Sequence, residues 1–436
     1  MNFLKNRQII APWLQFFILL SLTSASFTAH AQKKPQSLRI DYMHSGDAEN
    51  EHFHIYKLIA EPYFSGHQNH LIYPFNYGHY KIEVRIVKTG KLVYSYHYNT
   101  LFNEWQTTKT AKTEARSFQE SVKIPYPEQN SRLIFFARDS SLEWEKQHSY
   151  VIDPDSDFII HEKIAALNYK KIHDSGPYKE KLDLVIIPDG YTFEEMEKFH
   201  QDALRFRDYL LNCDPFNAQK DKINLWRVDL ASPQSGTDKP KQGKFRQTAL
   251  NTSFNTFGTQ RYLTPFDHFK VREIAACTPY DLIFILVNDK LYGGGGIFNF
   301  FSIATAHSPQ ANFLLIHEFG HQFAFLADEY YNTEVAVTNY HNPNKEPLEP
   351  NLTTLTDFSS KWKDLVEPET PIPTPAKKKY KNTVGVFEGG GYKEEGFYRP
   401  YMNCSMKSAQ YNNFCPVCKQ AIIKMFKYYT GEPIRP

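Results

Sequence analysis

The chain has 436 residues, enough for two domains, and its 41% hydrophobic and 22% charged content is that of a globular protein. Lys and Arg nearly balance Asp and Glu, and the formal charge of +2 gives no footing for holding nucleic acid or an anionic surface by bulk charge. Aromatic residues at 15% suit β-rich modules.

The N-terminus carries Lys5 and Arg7, an apolar stretch through Leu22, and Ala29-His30-Ala31 before Gln32. That pattern predicts a signal peptide over residues 1–31 and an exported, secreted or periplasmic protein. The apolar stretch is shorter than the roughly 20 residues of a span, so no stable membrane span is expected. Residues 32–158 then read as strands. In HYKIEVRIVKTGKLVYSYHY, Ile82, Val84 and Ile86 alternate with Lys81, Glu83 and Arg85, and Thr89-Gly90 turns the chain into a second alternating run. Similar runs at Leu38–Tyr42, His54–Ile59, Ser121–Ile124 and Leu133–Ala137 predict an all-β sandwich domain.

From residue 159 to 436 the pattern becomes α/β. LDLVIIPDGYTFEEMEKF gives a buried strand, a turn, and a helix opened by Thr192 with Glu195 three residues on, a capping box. Strands follow at Ile223–Leu230 and from Asp281, the latter leading through Tyr292 into Gly293–Gly296 and a further extended run, IFNFFSIAT. The glycines lack the Gly-Lys-Ser/Thr of a phosphate loop, so they bend a strand or admit another backbone. Ser308-Pro309 should cap the next helix. Beyond Tyr331 a Pro-, Asn- and Lys-rich stretch to about Lys381 reads as a surface insertion, and a helix over Cys415–Tyr429 closes the chain.

Five cysteines are present, three within the last 33 residues. Cys404 with Cys415 or Cys418 could close one short disulfide. Cys415-Pro-Val-Cys418 lies far from any βαβ opening, against a redox pair, and a structural zinc site there lacks an obvious fourth ligand in the sequence.

The chemistry concentrates in LLIHEFGHQFAFLADEYY, residues 314–331. His317 and His321, at i and i+4, share one helical face and can grip one ion, with Glu318 beside it. Two core histidines on a buried helix are the bland alternative. A third ligand must come from elsewhere. Asp328 lies seven residues past His321, about 10 Å along an unbroken helix, and reaches the ion only if the helix ends and the chain folds back.

HEFGHQFAFLADEYY, with YGGGGI before it and VGVFEGGGYKEEGFYRPYMNCSMKSAQYNNFCPVC after it, resembles the bacterial IgA-peptidase family of zinc metallopeptidases, the igalysins of the metzincin clan. LDLVIIPDGYTFEEMEKF and SPQSGTDKP resemble the start of that family's catalytic domain, and the strand-rich N-terminal module fits its two-domain layout. The resemblance implies a zincin-like α/β catalytic domain with one catalytic Zn2+ bound by His317, His321 and Asp328. Glu318 would be the general base for a zinc-held water, and Met406 would form the methionine turn, with Met402 as its competitor. The family's glycine after the second histidine is absent: Ala324-Phe325-Leu326-Ala327 stands there, so a residue with a side chain must reverse the chain. Tyr292, Gly293, Gly294, Gly295 and Gly296 open a run that is either an edge strand pairing with an extended peptide substrate or an ordinary internal strand. The expected activity is hydrolysis of extended polypeptides by a secreted metallopeptidase. Its rivals are an exported binding protein that keeps the metal site without cleaving, and a zinc hydrolase of non-peptide amides.

Overall fold

In the computed structural model, which describes residues 35–66, 68–161, 166–331 and 341–434, the first half of the chain forms two four-stranded sheets. The expected signal peptide and the start of the Pro- and Asn-rich stretch, 332–340, lie outside the described residues. One sheet joins β1 (Ser37–Gly46), β2 (Glu51–Glu61), β5 (Arg116–Pro125) and β8 (Ile159–Ile160) in the order β5-β1-β2-β8. The other joins β3 (Tyr80–Ile86), β4 (Leu92–Tyr98), β6 (Ser131–Arg138) and β7 (Trp144–Ile152) in the order β4-β3-β6-β7. Alternation in the strands explains the packing: Ile82 and Val84 turn into a core shared with Leu38, Ile40, Val122 and Phe135. Lys81 and Arg85 stay on the other face, paired with Glu83 at 2.9 and 2.7 Å. β8 lies just past the expected junction at 158 and still pairs with β2. A short helix, α1 (Leu101–Gln106), leaves this sandwich, capped reciprocally by Thr100 and Asn103.

The second half is built on a six-stranded sheet. Its strands are β9 (Tyr169–His173), β10 (Leu182–Asp189), β11 (Ile223–Val228), β14 (Leu282–Val287), β15 (Gly294–Ile297) and β16 (Phe301–Thr305), ordered β15-β16-β14-β10-β11-β9. The middle four run parallel, and β9 and β15 are antiparallel edges. A two-residue pair, β12 (Thr252–Ser253) with β13 (Thr264–Pro265), lies outside it. β10 and β14 are buried on both faces, as continuous apolar parallel strands require. Leu184, Ile186, Phe284 and Leu286 face α2 (Met196–Asn212), α4 (Ala311–Ala324) and α5 (Pro416–Thr430). Val185, Ile187, Ile283 and Ile285 face α3 (His268–Ala275). A late hairpin, β17 (Phe387–Gly390) and β18 (Lys393–Arg399), completes the domain.

The Thr192–Glu195 capping box forms as expected and opens a 3-10 turn that runs into α2. Three expectations need correction. IFNFFSIAT is not one extended run: Asn299 takes a positive φ of 53° and Phe300 N–H bonds to Ile297 O, so the chain reverses and the glycines themselves form β15. Ser308 does not cap α4; its carbonyl accepts from Ala311 N–H in a turn before the helix, and Gln310 occupies the cap position. The stretch after residue 341 is not merely surface, because Asn351, Leu352, Thr353 and Trp362 are buried.

The sandwich grips the turn between β15 and β16. Asn99 N–H bonds to Phe298 O at 3.0 Å, Tyr96 Oη–H to Asn299 O at 3.0 Å, and Asn299 Nδ2 to His97 O at 2.8 Å. The N-terminal domain thus braces the edge strand beside the histidine helix.

Candidate metal centre

Helix α4 is apolar nearly all round and buried, and polar side chains fix its height against the sheet. Ser302 Oγ donates to Glu318 O at 3.0 Å and meets Gln322 Oε1 at 2.8 Å, while Gln322 Nε2 donates to Ile283 O at 3.0 Å. The helix ends at Ala324, and Phe325 takes the left-handed conformation, φ 53° and ψ 36°. This is the reversal that the sequence demanded, made without glycine. It returns Asp328 to the histidines.

There His317 Nε2 and His321 Nε2 stand 3.2 Å apart, and Asp328 Oδ1 lies 3.0 Å from the first and 3.4 Å from the second. The opposite ring nitrogens are committed: His317 Nδ1 bonds to Ser405 O at 3.0 Å and His321 Nδ1 to Leu326 O at 2.5 Å. A carbonyl only accepts, so each Nδ1 carries a proton, and each ring, once neutral, turns its Nε2 lone pair toward the other. Asp328 Oδ1 is buried with no hydrogen-bond donor among the described residues. Either a shared proton or a cation answers the atoms that converge here, and two imidazoles with one carboxylate are a zinc donor set. The surrounding charges agree. Burial opposes charge on His321, yet Asp328 and Glu318 raise it to about 9. Asp328 is held well below the carboxylate range against its burial by the two imidazoles.

Glu318 is absent from this ligand set, and burial pushes its carboxyl up. The glycine run makes its room. A Cβ on Gly294 would sit 2.7 Å from Glu318 Oε1, and one on Gly296 would sit 2.2 Å from the Glu318 carbonyl oxygen. The glycines therefore admit the helix backbone to the edge strand. The outer edge of β15 is half covered: Gly294 N–H bonds to Arg261 O and Gly294 O accepts from Leu263 N–H, both at 3.2 Å. By the β15–β16 register Gly296 also points its N–H and C=O away from β16, and it lines the cleft. Tyr292, Gly294 and Gly295 line it as well, whereas Gly293 packs against Phe254 and Arg261 outside it.

Met406 is fully buried beneath the helix, its sulfur 3.1 Å from where a Cβ on Gly320 would lie, and its carbonyl accepts from Glu329 N–H at 2.8 Å. Met402, the competing candidate, is only half-buried.

The cleft above the site, about 620 Å³, also contains residues that sequence spacing did not reveal. Tyr392 donates its hydroxyl to Asp328 Oδ2 at 2.5 Å. Arg261 Nη2 donates to Tyr330 Oη at 3.0 Å. Glu104 reaches in from α1 of the sandwich, accepts from Tyr262 Oη–H at 2.5 Å, and is raised to about 7 by burial. Of these, only Tyr392 lies in a segment, VGVFEGGGYKEEG, that carries the family resemblance.

The model of the IgA peptidase M64 family matches residues 170–383 and 376–426, more than half of the chain, and that of the peptidase M64 N-terminus matches residues 28–149. A search among curated proteins finds no match. With these matches spanning both the sandwich and the domain that gathers His317, His321 and Asp328, the chain belongs to the IgA peptidase M64 family and is a peptidase.

Proposed function

We propose that the protein is an exported zinc endopeptidase that hydrolyses extended polypeptides, with Glu318 as its general base. The observation that carries this reading is the convergence of His317 Nε2, His321 Nε2 and Asp328 Oδ1 on one point, with Glu318 adjacent but outside the set. These three residues would hold the ion. Zinc in such a site supplies Lewis acidity, polarising a carbonyl and lowering the pKa of a water toward about 7. Ser405 O and Leu326 O hold the imidazoles in the tautomer that ligation needs. Tyr392 orients Asp328 through its second oxygen. Glu318 takes a proton from the attacking water and returns it to the leaving amine. Gly296, with its outward backbone groups, is where an extended substrate pairs with β15.

A zincin-like architecture is favoured by the mixed sheet with antiparallel edge strand β15 beside the HExxH helix. Export is favoured by the basic, apolar and small-residue pattern over residues 1–31, and the division into a sandwich over 32–158 and a catalytic domain over 159–436 by the separate cores. A binding protein that cleaves nothing loses its one support, since Phe325 makes the turn that the missing glycine would have made. N-terminal sequencing of products from mixed, unfolded secreted proteins, beside a panel of small amides, tests the reading. New N-termini that a chelator abolishes support it; turnover of amides alone contradicts it.

A further inference from the structure

Beneath the histidine site lies a second convergence. Glu329, Cys404, Cys415 and Cys418 are all buried, and each turns one ligand atom into a space in which these atoms lie within 4.8 Å of one another. Cys404 Sγ is 3.8 Å from Cys418 Sγ, and Cys418 Sγ is 3.3 Å from Glu329 Oε1. Two sulfurs on a tetrahedral zinc, each about 2.3 Å from the ion, stand about 3.8 Å apart, and a sulfur and a carboxylate oxygen about 3.6 Å apart. The spacing is that of a ligand cage.

Three features separate this cluster from ordinary buried thiols. Asn351 Nδ2 holds Glu329 Oε1 at 3.1 Å, but Glu329 Oε2 is buried with no hydrogen-bond partner among the described residues. A fully buried carboxyl left so is either protonated or accompanied by a cation. Cys415 caps α5 and Cys418 lies in its first turn, so both sulfurs sit at the positive end of a 15-residue helix. Cys415 N–H points at Cys404 Sγ from 3.3 Å, a donor that stabilises thiolate. A disulfide that includes Cys418 would take away the sulfur that faces Glu329 Oε1 at 3.3 Å.

We propose that Glu329, Cys404, Cys415 and Cys418 form a closed, structural zinc site. Its four protein ligands leave no open position, which distinguishes it from the three-ligand site above. The missing fourth ligand of the Cys-x2-Cys pair is the residue after Asp328. The two sites therefore share a backbone: Glu329 N–H bonds to Met406 O, and Cys404 precedes Ser405, whose carbonyl orients His317. Zinc here ties the returning Asp328 segment to the methionine loop and to α5.

The test uses the full chain, purified without chelator. Zinc analysis should give two ions per chain, and cobalt exchange should give thiolate-to-cobalt charge-transfer absorption. The double variant His317→Ala/His321→Ala should keep one zinc and the whole of that absorption. Cys415→Ser should lose one zinc and the absorption, and Glu329→Gln should weaken retention against a chelator by at least tenfold. Because Cys415→Ser could misfold, the histidine variant decides. Loss of all zinc and no cobalt–thiolate band in that variant overturns the proposal, and so does mass-spectrometric detection of a disulfide between any two of Cys404, Cys415 and Cys418 in the wild type.

Discussion

Gly294 of β15 and Glu318 of α4 are in such close register that a methyl group on the glycine would lie 2.7 Å from the glutamate's Oε1. The atom met is the far end of a flexible side chain, so Gly294→Ala should fold and hold its metal. Glu318 would swing aside, and an error of about 1 Å in a reacting group costs on the order of a hundredfold in rate. Gly296→Ala instead drives a Cβ to 2.2 Å from a helix carbonyl, and backbone cannot yield so easily. Melting curves and turnover should separate the two: Gly294→Ala slow but stable, Gly296→Ala destabilised by about 1–3 kcal/mol or more. Equal melting temperatures for both would contradict the packing described.

In the proposed site Asp328 is the third ligand, because two imidazoles alone fall short of the three protein ligands usual for catalytic zinc. Asp328→Ala should lower bound zinc by one ion per chain, measured by elemental analysis of folded protein. Zinc content unchanged from wild type would remove Asp328 from the ligand set.

Phe325 holds a left-handed conformation that costs a residue with a Cβ about 1–2 kcal/mol relative to glycine. Its ring is 4% exposed and packs 4.7 Å from Phe298 and 5.6 Å from Tyr77, burial worth about 3–5 kcal/mol on truncation. Packing wins over strain. Phe325→Gly should therefore destabilise by roughly 2 kcal/mol, although it restores the usual turn residue. Denaturant titration checks the sign, and a gain in stability would contradict it.

The buried imidazole of His97 donates from Nδ1 to Tyr77 O at 2.9 Å, and burial lowers it from its ordinary value to about 3. The unfolded chain binds this proton near pH 6.5, the folded one only near pH 3, so the contribution is whole above about pH 6.5 and lost as pH falls. The slope approaches about 1.4 kcal/mol per pH unit between those limits. His97→Gln should flatten stability against pH between 4 and 6 by up to about that slope. Identical pH profiles for variant and wild type would contradict it.

What the sequence made legible was local. Alternation around Thr89-Gly90 marked the β3–β4 hairpin, and the i, i+4 histidines marked one face of α4. Helix rise made a fold-back the condition for the ligand role that the family resemblance implied for Asp328, because a straight helix would have carried it away. What stayed hidden was assembled across distance. Glu329 meets Cys418 over 89 positions and Tyr392 meets Asp328 over 64, and no periodicity encodes such pairs. The split of IFNFFSIAT was missed because apolar residues flank Asn299 on both sides, and its positive φ, where the chain reverses, is not written in the residue type. The difference in burial between Met406 and Met402 was likewise not readable from the sequence.

The central claim is that Glu318 moves the proton while other residues hold the ion. Glu318→Gln keeps the shape and removes the acceptor. Zinc content, substrate affinity and peptide cleavage measured together on wild type and variant test it most directly. Glu318→Gln should hold zinc and substrate as the wild type does, with turnover lower by at least about a hundredfold. Wild-type cleavage rates in a variant that still holds its zinc would contradict it.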